Sequence, residues 1–320
     1  MFQLRLTGQV LLRLLLAAAA IVAAVQAYRL LLLPGIVSLF DLGEATTSLL
    51  RRSGIFVCAL SAYWVYVRYY EKRAATELRP APIGIVVGAA IGAGLLLLAT
   101  LVLFATGVYE VTEYRGLQSG LFGVAGFIVV AATLEELAYR AVLFRTLEQA
   151  WGTGIALVLQ ALLFGVGHLE NLGEQPSTAE IVTTVVSVTL LGALWTLVFV
   201  YSRNLWVAAA NHAAWNFSII LTGVPLSALG DWVSFAPIVS AYRGPDWLTG
   251  GVFGPEGSMI TMVLVCAALV VAWRLARAKG RFVRARKREP AAAAPAALGE
   301  NGRLRSIPQE RAPSRSCDAT

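Results

Sequence analysis

Leu134 to Phe144 reads LEELAYRAVLF. The stretch lies in an apolar run that starts near Leu121 and otherwise has the character of a membrane-spanning helix. Within it stand Glu135, Glu136 and Arg140. On insertion scales each such group costs roughly 2.5–3.5 kcal/mol near the bilayer centre, so three of them demand a reason. Helix geometry divides them. Glu136 and Arg140, at i and i+4, share a face and can neutralise each other. Glu135 points about 100° away from Glu136 and has no cation one turn on. A buried carboxylate without a cation is suited to take up a proton, which makes Glu135 the candidate general base and Glu136–Arg140 its support.

Composition sets the same frame. The chain has 320 residues, 58% of them hydrophobic and only 14% charged, with a mean hydropathy of +0.69. That excludes an ordinary soluble domain and predicts an all-α, polytopic membrane helix bundle. A net charge of +7 and a pI near 9.6 would suit a nucleic-acid partner. Most of the excess, however, sits between Arg274 and Arg288, after the last apolar run, where it reads as topology and contact with the lipid bilayer. No nucleic-acid partner is expected. Cys58 and Cys266 lie in apolar segments and Cys317 in the tail, which suggests neither a disulfide framework nor a thiolate metal site.

Eight apolar runs follow one another. The first, about Leu14 to Leu33, lacks a convincing cleavage site and reads as a retained helix ended by Pro34-Gly35. The next two cover about Ile55 to Val67 and Pro82 to Thr106, the latter with glycines that allow close packing. The fourth carries the glutamates and extends through Arg145 and Glu148 to a turn at Trp151-Gly152. The rest run from about Ile155 to His168, Ile181 to Tyr201, Leu205 to Leu221 and Met259 to Trp273. With the basic loops assigned to the cytoplasm, about eight transmembrane helices place both termini inside, Arg51-Arg52 being the main exception. The expected organisation is helices one to three over 1–119, a catalytic core over 120–222, and a loop, last helix and basic end over 223–288. An Ala/Pro-rich tail over 289–320 is expected to be disordered.

The chain contains two histidines, each in an apolar segment with a motif partner four residues away. Phe164 and His168 form F-x-x-x-H, with glycines that let another helix approach the imidazole. His212 and Asn216 form H-x-x-x-N, which puts an imidazole and a carboxamide on one helical face. Glu135-Glu136-x-x-x-Arg140, Phe164-x-x-x-His168 and His212-x-x-x-Asn216, in this order on consecutive segments, resemble the CPBP intramembrane proteases, the CAAX prenyl protease and bacteriocin-processing family. The resemblance covers about Gly120 to Leu221. The loop from Trp247 to Gly257 also looks like bacterial members, less specifically.

The resemblance implies a glutamate-dependent endopeptidase in a bacterial inner membrane. Glu135 would activate water, His168 would hold that water, and His212 with Asn216 would stabilise the oxyanion. No cofactor is implied, and the substrate would be a membrane-associated or lipid-modified peptide or protein reached from the cytoplasmic surface or the bilayer. Three other readings stay open. Glu135, His168 and His212 could form a zinc site with one position free for water, although no H-E-x-x-H helix is present. A proton-coupled transporter could use the same groups as a relay, although no inverted repeat is evident. A non-catalytic membrane protein would not require the full Glu/His/His/Asn set. The final Cys317-Asp-Ala-Thr320 is formally a cysteine four from the end, but Asp is not aliphatic and the segment reads as chance. One tension concerns depth. Counted from the turns, Glu135 and His168 lie at one level, while His212, soon after Arg203, falls nearer the cytoplasm.

Overall fold

A computed structural model describes residues 2–285, with side chains described from Leu6 onward. The tail over 289–320 and the last arginines of the basic cluster lie outside the described residues. Helix α1 (Phe2–Ala27) runs through a π-helical turn at Tyr28–Leu32 into α2 (Leu33–Phe40). The sequence expectation that Pro34-Gly35 ends this helix is corrected. Pro34 follows directly on the π-helical turn, whose widened backbone accommodates a residue without an N–H, and the helix stops only at Asp41, whose φ is 46°. Helix α3 (Glu44–Val65) and its π-helical extension Tyr66–Tyr70 follow, then α4 (Pro82–Ala105).

Strand β1 (Tyr109–Tyr114) leads to α5 (Leu121–Glu136), which passes through a π-helical segment Leu137–Phe144 into α6 (Arg145–Gly167). Gly152, at φ 78° and ψ 167°, breaks α6 and turns the chain back. A residue other than glycine would be strained there. Helix α7 (Thr178–Ser202) opens on a capping box between Ser177 and Glu180, and α8 (Leu205–Leu221) opens on the Asn204 side chain. Strand β2 (Ile238–Tyr242) and the short α9 (Asp246–Thr249) precede α10 (Met259–Ala278). β1 and β2 pair antiparallel, a small addition to an otherwise helical bundle.

Each of the eight apolar runs falls on a helical rod. By length and composition five segments can cross a membrane, and the one from Leu121 to Asn171 contains the reversal at Gly152. Helix α3 carries Glu44, Arg51 and Arg52, and α8 is only 17 residues long. Outward-facing leucines, isoleucines and phenylalanines such as Leu31, Ile83, Leu101 and Phe122 would be costly in water and fit a lipid surround. The protein is an integral membrane helix bundle.

Small residues set the closest approaches. A Cβ on Gly92 of α4 would stand 2.1 Å from the Asn211 carbonyl oxygen of α8, and one on Gly165 of α6 would stand 2.7 Å from the Val185 carbonyl of α7. Bringing α8 against α4 and α5, and α7 against α6, is what places the motif side chains together.

The bundle has two chemically different ends. At one, the buried Glu77 takes Arg73 at 2.9 Å and Arg145 at 2.7 Å, Arg203 binds Glu148, and the Val283 N–H donates to Thr153. At the other, β1 pairs with β2, the Tyr109 hydroxyl donates to the Thr249 carbonyl, and the Asn171 amide donates to the Ser227 carbonyl.

Candidate active site

Glu135 and Glu136 are the last residues of α5, at the point where the helix widens into π geometry. Such widened turns recur at functional sites because they re-aim side chains. Glu136 and Arg140 are both completely buried, and Glu136 Oε1 lies 3.0 Å from Arg140 Nη1. The same oxygen accepts a 2.9 Å hydrogen bond from His212 Nδ1. Arg140 also donates from Nη2 to the Gly192 carbonyl at 3.1 Å, and its guanidinium lies over the rings of Phe164 (4.5 Å) and Trp195 (5.7 Å). The ion pair, the carbonyl and the π faces replace part of the hydration of this buried charge, while Nε has no hydrogen-bond partner among the described residues.

Trp195 completes the setting of His212, its ring stacked on the imidazole at 3.7 Å with 18° between the planes. His212 Nε2 is left facing Glu135, 3.9 Å from Oε2, beyond hydrogen-bond range. Unlike its neighbour, Glu135 is accessible, with 37% of its side chain exposed. The corner of the motif without a cation is therefore also the corner open to the cavity.

His168 sits where α6 ends, with Nδ1 2.9 Å from the Phe164 carbonyl oxygen. A carbonyl only accepts, so Nδ1 carries a proton, and in the neutral imidazole Nε2 is then the acceptor. Asn216, one turn beyond His212, has a buried carboxamide oxygen without a protein partner. Glu135, His168, His212 and Asn216 all line one cavity of about 140 Å³, with Phe164 and Trp195 in its wall.

The structure narrows the depth tension. Arg203 binds Glu148, four residues before the Gly152 turn, so that turn projects roughly 6 Å beyond Arg203 at 1.5 Å per residue. Part of the mismatch is removed this way, and the 2.9 Å contact between Glu136 and His212 places both helices in register. The far cavity wall is made by Asn171, Leu226, Ser227, Leu229, Trp232 and Glu256, from the loops at the end away from the basic network.

Glu256 was not among the candidate residues from sequence. It is buried, and its two oxygens accept from Trp215 Nε1 at 3.1 Å and Ser227 Oγ at 2.6 Å. Burial raises its carboxyl above the ordinary 4.5. The glycine-rich loop around it was the available signal. A Cβ on Gly250 would stand 1.7 Å from the Gly254 carbonyl, so only glycine lets this loop fold tightly enough to bring Glu256 inward. Trp195 carried no signal, since one tryptophan in an apolar helix looks like any other.

Among the described residues, no group of three or more His, Cys, Asp or Glu side chains is placed to hold a metal ion. The Glu135, His168 and His212 arrangement expected for zinc is therefore not preformed in this structure.

An accessible carboxylate, two imidazoles and a carboxamide line one cavity among membrane helices, a set of groups with the chemistry a candidate hydrolytic site needs. Residues 117–218 match the family model described as type II CAAX prenyl endopeptidase Rce1-like. This segment is a domain of the CAAX protease (CPBP) family, and the protein is a membrane peptidase of that kind. No curated protein and no solved structure matches the chain.

Proposed function

We propose that the protein is a glutamate-dependent, metal-independent intramembrane endopeptidase acting on a membrane-associated or lipid-modified peptide or protein, in a bacterial plasma membrane with both termini cytoplasmic. The observation that carries this reading is the contrast between the two adjacent glutamates. Glu136 is fully buried and spent on Arg140 and His212, while Glu135 reaches the cavity beside His212 Nε2.

The chain's own groups account for each proton. Glu135 takes a proton from water, whose oxygen attacks the scissile carbonyl carbon. His168 accepts a hydrogen bond from that water at Nε2, since its own proton is committed to the Phe164 carbonyl at Nδ1. The carbonyl oxygen becomes an oxyanion, and Asn216 presents its amide to it. His212, held at Nδ1 by the Glu136 carboxylate, turns Nε2 towards the same cavity and donates to the oxyanion when that nitrogen carries a proton. Glu135 then returns its proton to the leaving nitrogen as the C–N bond breaks. A cavity walled by Phe164, Trp195, Leu191 and Trp232 strengthens these interactions by excluding bulk water.

The test is hydrolysis of a quenched-fluorescent peptide library by detergent-purified protein, with and without a strong chelator, beside Glu135→Gln. Activity that resists the chelator and disappears in a folded Glu135→Gln variant is expected. Loss with chelator and recovery with zinc would move the same residues to the zinc mechanism. Full activity in Glu135→Gln would overturn both.

A further inference from the structure

We infer that the active-site cavity opens on the extracytoplasmic face. The bond this peptidase cuts then belongs to a segment lying outside the cytoplasm or already carried across the membrane. The substrate side rests on the endopeptidase reading above; the sidedness of the cavity does not.

Three observations carry it. The first is where the cavity goes. From Glu135 and His212 it continues to Asn171 after α6, to Leu226–Leu229 and Trp232 after α8, and to Glu256 before α10. All of these follow or precede helices at the same end of the bundle, the end bearing the β1–β2 pair.

The second is what lies the other way. Immediately beyond the site stands a closed layer. Glu136, Arg140 and Phe164 are fully buried, and Phe144 packs edge-on against Phe199 with ring centroids 6.1 Å apart. Thr196 donates to the buried Gln160 in the same region. Beyond it come the Glu77–Arg145 and Glu148–Arg203 pairs that bind the loops of that end together. A peptide arriving there would have to displace a buried ion pair and packed aromatic rings.

The third is charge. Segments 66–81, 145–153, 203–204 and 274–285, at the closed end, hold eleven basic and three acidic residues. Segments 41–43, 106–120, 168–177 and 222–258, at the cavity end, hold two basic and eight acidic ones. Lys and Arg retained in short loops mark the cytoplasmic side. The exceptions sit inside helical rods, Arg29 in the Tyr28–Leu32 turn and Arg51 and Arg52 in α3, and Arg52 lies over the Phe127 ring at 5.3 Å. The cavity end is therefore extracytoplasmic. A lipid-modified tail held at the cytoplasmic leaflet would meet the closed, basic end. An exported or membrane-inserted peptide whose cleavable segment emerges outside would meet the open, acidic one.

Impermeant labelling reads the sidedness without any substrate. In the full chain with Cys58, Cys266 and Cys317 replaced by serine, Asn171→Cys and Ser227→Cys report on the cavity wall, and Glu174→Cys, on the same end outside the cavity, covers either variant failing to fold. Lys72→Cys reports on the closed end. In intact bacterial spheroplasts an impermeant maleimide should label the first three and reach Lys72→Cys only after permeabilisation. Labelling of Lys72→Cys alone in intact spheroplasts, or protection of Asn171→Cys and Ser227→Cys while Glu174→Cys reacts, would overturn the inference. The same peptide library added outside sealed proteoliposomes tests the substrate side. Hydrolysis should come from molecules with the cavity end outward, and hydrolysis only by the opposite orientation would refute it. Absence of hydrolysis by solubilised wild-type protein would instead count against the peptidase reading, with the labelling result standing separately.

Discussion

His212 Nδ1 and Arg140 Nη1 meet on the same oxygen, Glu136 Oε1, at 2.9 and 3.0 Å. One carboxylate thus neutralises the buried arginine of its own helix and fixes the tautomer and aim of an imidazole on α8. Spacing along the sequence had assigned Glu136 to the arginine alone. The structure makes it the joint between a stability device and the chemistry, because a carboxylate oxygen has room for two donors.

Glu136→Gln should therefore fail in two separable ways. Arg140 is left buried without its anion, a loss on the order of 3–5 kcal/mol that lowers the yield of monodisperse protein. Molecules that do fold should show turnover reduced about 10²–10³-fold, as for removal of an oxyanion donor, because His212 loses the carboxylate that fixes the aim of its ring. The yield and kcat of the monodisperse fraction separate the effects. Normal kcat in folded Glu136→Gln would show that Glu136 serves only Arg140.

Trp195 stacks on His212 at 3.7 Å, lies beneath the Arg140 guanidinium at 5.7 Å and forms part of the cavity wall. Trp195→Leu should lower kcat with a smaller change in KM, since it frees the imidazole to rotate, and Trp195→Phe should recover much of the loss by keeping a flat face. Equal kcat in the Leu and Phe variants would remove the positioning role.

Gly92→Ala should destabilise the bundle by roughly 1–3 kcal/mol, the usual cost of overpacking, because its Cβ would fall 2.1 Å from the Asn211 carbonyl on the helix that carries His212. Gly94→Ala, on the same helix with nothing within 4 Å, should be neutral or slightly stabilising. Thermal midpoints in detergent compare the two, and similar losses in both would point to helix propensity rather than packing.

Glu256 links stability to pH. Its carboxyl is raised above 4.5 by burial, so the folded state binds more proton than the unfolded state once pH passes that value. Stability contributed by this group is full below about 4.5 and declines as pH rises towards the folded pKa. The Glu256→Gln variant cannot ionise, and the thermal midpoint of that variant should fall less between pH 5 and 8 than that of the wild type. Parallel midpoint curves would show that Glu256 does not titrate in this range.

Much of the molecule could be read from residue order alone, for a physical reason. Bilayer insertion is a local property, so runs such as Ile181 to Tyr201 declare themselves by length and hydropathy. The split between Glu135 and Glu136 was equally local, since i and i+4 on a helix share a face whatever surrounds them, and the Glu136–Arg140 pair is present. What depended on the meeting of distant segments was beyond such reasoning. That His212 binds Glu136, that Trp195 stacks on His212, and that Glu256 folds in beside Ser227 are contacts between residues 17 to 76 positions apart. The helix past Pro34 had escaped as well, because a π-turn just before it accommodates the proline without ending the rod. The direction in which the cavity opens was decided last of all. It depends on which loops roof the site and which side chains close its floor, and both are set by how α5, α6, α7 and α8 pack.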